Sequence, residues 1–92
     1  KGFRVMVLST NSRDAAYEAR TNILKNFPTY NVYMAYQTPY YKVKMGDFLK
    51  RADALKAREE VAKYFKQNTF VVSDIIKLSP EEEERLLLEL EE

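Results

Sequence analysis

The sequence predicts an α+β fold: a ferredoxin-like (RNP-type) β-α-β-β-α-β sandwich with two helices on one face of a four-stranded antiparallel sheet, followed by a C-terminal acidic helix. Three observations carry this. The chain resembles itself at an offset of 38 positions, each copy runs from period-two alternation into a helical stripe, and Gln37-Thr38-Pro39 turns one copy into the next. A length of 92 residues, 46% hydrophobic and 32% charged, suits one globular domain and excludes a disordered chain.

At the 38-residue offset, Phe3-Arg4-Val5-Met6-Val7 falls on Tyr41-Lys42-Val43-Lys44-Met45. Arg13, Ala16, Ala19, Arg20, Ile23, Lys25 and Phe27 then fall on Arg51, Ala54, Ala57, Arg58, Val61, Lys63 and Phe65. In the first strand Phe3, Val5 and Val7 share one side, and Arg4, Met6 and Leu8 the other. Asn11 or Ser12 caps the first helix, which turns Ala16, Ala19, Ile23 and Phe27 inward and stops at Pro28. Asn31 to Tyr36 reads as the second strand. The third begins at Tyr40, with Tyr41, Val43 and Met45 inward and Tyr40, Lys42 and Lys44 outward. The second helix is expected from Arg51 to Phe65, stopped by Gln67-Asn68, and the last strand from Thr69 to Ser73.

The chain divides at about residue 78 into a domain over 1–78 and an appended acidic amphipathic helix over 79–92. Up to Pro80 there are 14 Lys+Arg against 7 Asp+Glu, and from Glu81 onward 1 Arg against 7 Glu, so a +7 body carries a −6 tail. Ser79-Pro80-Glu81-Glu82 combines an N-cap, a proline at the first helical position and a capping-box glutamate. Leu86, Leu87, Leu88 and Leu90 form an apolar stripe too short to stand alone, so the helix is expected to dock on the body or on a second chain. Folded over the basic body, it would compete with an acidic ligand.

Histidine and cysteine are absent and there are only two glycines. Zinc sites of the finger type, Cys-His or Ser-His-Asp nucleophiles, dinucleotide fingerprints and phosphate loops therefore have no residues to build them, and no enzyme, cofactor or metal site is expected. No apolar run approaches the roughly 18 residues of a membrane-spanning helix, so no direct insertion of this stretch into a membrane is expected.

Function is sought on the sheet face that the helices leave open. Its predicted residues are Arg4, Met6, Leu8, Tyr33, Ala35, Tyr40, Lys42 and Lys44, a mixture of cations and aromatic rings. Such a surface suits a polymer that alternates rings with anionic or hydroxyl groups, either single-stranded nucleic acid or an acidic glycan. The nucleic-acid option has a test within the chain. An RNA-recognition motif places aromatics at the centre of its third strand, where this chain has Lys42 and Lys44, so the match fails and no nucleic-acid partner is expected.

Gly2-Phe3-Arg4-Val5-Met6-Val7 followed by Ser9, then Ser12-Arg13-Asp14-Ala15-Ala16, resembles the opening of a SPOR (sporulation-related repeat) domain. Tyr41-Lys42-Val43-Lys44-Met45-Gly46-Asp47-Phe48, then Arg51-Ala52-Asp53-Ala54, is similar to that family's second half, in which Tyr-Arg-Val-x-Val-Gly-x-Phe leads into a helix. Phe70-Val71-Val72 fits the close, so the resemblance spans about Gly2 to Asp74 and leaves out the tail. It implies a non-catalytic module that binds bacterial peptidoglycan, favouring glycan strands stripped of their stem peptides, which are enriched at division septa. It also implies a periplasmic place in the cell envelope, within a longer anchored or exported protein. The family's glycan site lies on the open face and adjoining loops. Carried over by position, the glycan-binding candidates are Arg4, Met6, Ser9, Asn11, Tyr33, Tyr40, Lys42 and Lys44. Two positions depart from the family pattern: Met6 stands where Gln is common, replacing a hydrogen-bonding group with soft apolar contact, and Leu8 where Gly is frequent. The alternative expectation is a protein-protein assembly module on the same fold that has lost glycan binding, with a homodimer through the C-terminal helix.

Overall fold

A computed structural model describes residues 1–65 and 69–91. The elements are β1 (Gly2–Thr10), α1 (Arg13–Asn26), β2 (Val32–Gln37), β3 (Tyr40–Phe48), α2 (Arg51–Val61), β4 (Phe70–Asp74) and α3 (Pro80–Glu91). The strands form one four-stranded antiparallel sheet, as the sequence predicts, and their order in it is β2-β3-β1-β4.

The internal repeat is a repeat of packing. The buried residues of α1 are Ala16, Ala19 and Ile23, and those of α2 are Ala54, Ala57 and Val61, matched pair by pair at the 38-residue offset. Alanines at the first two sites bring each helix close to the sheet, and the larger third side chain fills the core beyond. Both helices pack on Val5, Val7, Val43 and Met45, all fully buried. Burying each such side chain stabilises the fold by roughly 1.5–3 kcal/mol. Ser12 caps α1, its Oγ accepting from the Ala15 amide at 3.1 Å, and Phe27 closes it, its N–H donating a hydrogen bond to the Ile23 carbonyl at 2.7 Å. Phe27, Tyr30, Phe48 and Tyr64 seal this end of the core through ring contacts of 5.3 to 6.2 Å.

The expected end of the second helix changes. α2 ends at Val61 rather than Phe65, because the Tyr64 amide bonds to the Val61 carbonyl at 2.9 Å and the chain tightens into turns. Phe65 still packs against the core. The predicted stop at Gln67-Asn68 lies outside the described residues.

The larger correction concerns Leu8, placed on the open face by simple alternation. Met6 pairs with Lys44 but Leu8 pairs with Val43, so β1 carries one extra residue between them. This bulge turns Leu8 into the core and brings Ser9 opposite Lys42 on the open side. A second irregularity lies on β3, where Phe3 pairs with Phe48 and Val5 with Met45. Gly46 sits there with φ +83°, and any side chain on it would run into the Phe48 ring.

The tail begins as the sequence predicts. Its capping box forms, Ser79 Oγ accepting from the Glu82 amide at 3.2 Å and the Glu82 carboxylate from the Ser79 amide at 3.3 Å. The part that docks on the body is the segment before the helix: Ile76 lies against Gly2, and the Lys77 amide donates to Asp47 Oδ1 at 3.0 Å. Leu86, Leu87 and Leu88 remain exposed. The cleft between α3 and the body is lined by Lys1, Leu49 and Lys50, so the acidic helix does not fold over Arg4, Lys42 and Lys44. A homodimer through this helix is not supported.

Candidate functional site

Cross-strand partners in an antiparallel sheet share a face, so the register defines the open surface. Phe70, Met6, Lys44 and Tyr33 form one row across all four strands. Ser9, Lys42 and Ala35 form the next, and Tyr40 with Gln37 the last, at the β2–β3 hairpin. On the other side of the first row, Val72 pairs with Arg4 and Asp74 with Gly2.

The sheet's charges are not equivalent. Arg4 lies beneath Tyr33, its guanidinium carbon 3.8 Å from the ring centroid, and pairs with Asp47 at 3.0 Å and Asp74 at 3.3 Å. Lys44 pairs with Asp74 at 2.9 Å. Asp47 is a hub, accepting also from Tyr33 Oη at 2.6 Å, Asn31 Nδ2 at 3.2 Å and the Lys77 amide. Burial pushes the Asp47 carboxyl up, but the hydrogen bonds from Tyr33, Lys77, Asn31 and Arg4 outweigh it and hold it below the usual aspartate value. The hydrogen bond from Lys44 does the same for Asp74. Burial and the bond donated to Asp47 keep the Tyr33 phenol protonated to higher pH than usual.

The candidates therefore separate into two groups. Arg4, Tyr33 and Lys44 are brought together in a network whose charges are internally matched. Tyr40, Ser9 and Asn11 are exposed, Lys42 is half-buried, and Met6 is covered by its neighbours. Among the described residues Lys42 makes no ion pair, while Arg4 and Lys44 do. Three residues of this face escape reading from sequence. Phe70, half exposed beside Met6, and Asp74 both sit on β4, whose side assignment needs the pairing register. Asp47 reads in sequence as an isolated loop carboxylate, and only the bulge at Gly46 brings it to Arg4, 43 residues distant. Among the described residues no acidic cluster is arranged to hold a metal.

These features define a small helix-backed sheet module whose uncovered face, cationic and aromatic, is open to an extended ligand. The SPOR domain family matches residues 1–73, and the chain belongs to that family. Its members are binding modules with peptidoglycan-binding and division-related function, found in envelope or periplasmic division proteins. Comparison with curated proteins and with solved structures gave no match. No described helix is long and apolar enough to cross a membrane.

Proposed function

We propose that the open face binds peptidoglycan glycan strands that have lost their stem peptides, without catalysis, and so brings its parent envelope protein to the division septum. Residues 1–78 act as the binding domain in the periplasm, and the segment over 79–92, which carries α3, is an appendage. The observation that carries this reading is the free part of the sheet: Lys42, which among the described residues makes no ion pair, stands one row from the exposed Tyr40 on β3, and the half-exposed Phe70 lies two strands away in the neighbouring row of the same face. Aromatic faces stack on the apolar faces of sugars, and Lys42 meets a lactyl carboxylate. Ser9, beside Lys42, offers a hydroxyl to sugar hydroxyl or acetamido groups. Arg4 and Lys44 support the surface through Tyr33 and the two aspartates rather than as free charges.

The test is co-sedimentation with purified sacculi before and after amidase removal of stem peptides. Stronger pelleting on the stripped wall is expected. Absence of pelleting on both walls would overturn the glycan reading and favour an assembly module on the same fold.

A further inference from the structure

The hairpin end of the molecule carries an aromatic group on the reverse, helix-bearing side of the sheet, of which only Tyr41 packs against the core and none belongs to the open face. Tyr36 and Tyr41 are cross-strand partners there, with ring centroids 4.6 Å apart. Arg13, at the start of α1, holds its guanidinium carbon 5.2 Å from the centre of the Tyr17 ring and is itself exposed. Tyr36 is 57% exposed and Tyr17 41%. Among the described residues Arg13 forms no ion pair. Tyr17 and Tyr36 keep much of their rings in water, and the Arg13 guanidinium is exposed with them. They present the flat apolar surface and bidentate anion donor that a carboxylated sugar ring needs.

This cluster continues the open face. The part of that face outside the Arg4-Lys44 network runs diagonally from Phe70 on β4, through Met6, Ser9 and Lys42, to Gln37 and Tyr40 at the hairpin. Tyr40 and Tyr41 are consecutive and point to opposite sides of β3. The two groups therefore meet at the hairpin end, and a polymer leaving the open face past Tyr40 reaches the second one by turning round that end.

We propose that Arg13, Tyr17, Tyr36 and Tyr41 form a second platform for the same glycan strand, taking the sugar units that extend past the hairpin end, with Arg13 on a lactyl carboxylate. The platform rests on the reading of the open face as a glycan site. It makes affinity depend on strand length, because a strand held on the first surface reaches the second intramolecularly.

The test is calorimetric titration of the full chain with peptide-free N-acetylglucosamine–N-acetylmuramic acid oligomers, a tetrasaccharide and a dodecasaccharide. Three proteins are compared: wild type, the combined variant Arg13→Ala, Tyr17→Ala, Tyr36→Ala, and Lys42→Glu. Tyr41 is retained because it also packs against the core, and thermal melts check that each variant folds. Wild type is expected to bind the long oligomer on the order of tenfold tighter than the short one, a difference of about 1.4 kcal/mol. The platform variant should keep its affinity for the short oligomer and lose most of the gain with length. Lys42→Glu should weaken both. A wild type that binds both lengths equally, or a platform variant that keeps the full gain, overturns the platform and leaves the open-face reading standing. Failure of wild type to bind either oligomer overturns both.

Discussion

Replacing Asp47 by alanine tests whether the charge network holds the open face together. Arg4 and Asp47 side chains are only 11% and 9% exposed, so their pair is weakly screened. Breaking a buried pair from one side typically costs about 3–5 kcal/mol, because the remaining charge is left uncompensated. Arg4 keeps Asp74 at 3.3 Å, which moves the expectation to the low end, about 3 kcal/mol. Loss of the acceptor for Tyr33 Oη falls within the same figure and is not added to it. For a domain of this size about 3 kcal/mol lowers the melting temperature by roughly 12–24 °C. In urea, with a slope near 1.5 kcal/mol per molar, the midpoint falls by about 2 M. The sign with pH follows from the lowered folded pKa of Asp47. Its stabilisation is complete above the unfolded value, about 3.9, and is lost as pH falls through the lower folded value. The gap between wild type and Asp47→Ala is therefore wide at pH 7 and narrows as the pH drops below about 4. Urea denaturation at pH 7, 4 and 3 checks this. A cost below about 1 kcal/mol at pH 7, the range of exposed ion pairs, would refute the network, as would a gap that does not change with pH.

Lys42→Glu should reduce pelleting with stripped sacculi several-fold more than Lys44→Gln, since only Lys42 is free of a carboxylate; equal losses in the co-sedimentation assay would contradict the division of the face. Phe70→Ala, at a half-exposed site, should weaken pelleting while changing stability by less than about 1 kcal/mol in the same denaturation assay. Gly46→Ala should destabilise by at least about 1–3 kcal/mol, because it demands positive φ and drives its methyl into the Phe48 ring. Deleting residues 80–92 should leave the melting temperature of the body within a few degrees, since the contacts tying the tail down are made by Ile76 and Lys77 before the helix begins.

The elements were legible where their signal is local. Ala16, Ala19 and Ile23 and their counterparts Ala54, Ala57 and Val61 recur at helical spacing, so their burial needs no knowledge of the partner. Ser79 to Glu82 is likewise a short-range motif, and its capping box forms as read. Alternation puts Leu8 on the wrong face because it predicts the side only while the strand is regular, and one inserted residue reverses the side of everything after it. Ser9 reaches the open face for the same reason.

Composition, periodicity and the internal repeat determined by themselves that this chain is a helix-backed four-stranded sheet with one uncovered face, because hydrophobic period and capping act within a few residues. Only the tertiary structure decided how that face is charged. Arg4 finds Asp47 across 43 positions, and Lys44 finds Asp74 across 30. Such pairings depend on register and on two strand irregularities, which no local pattern encodes. They neutralise two of the three cations of this face and leave Lys42, with the exposed Tyr40 along the same strand, as the part still open to a ligand.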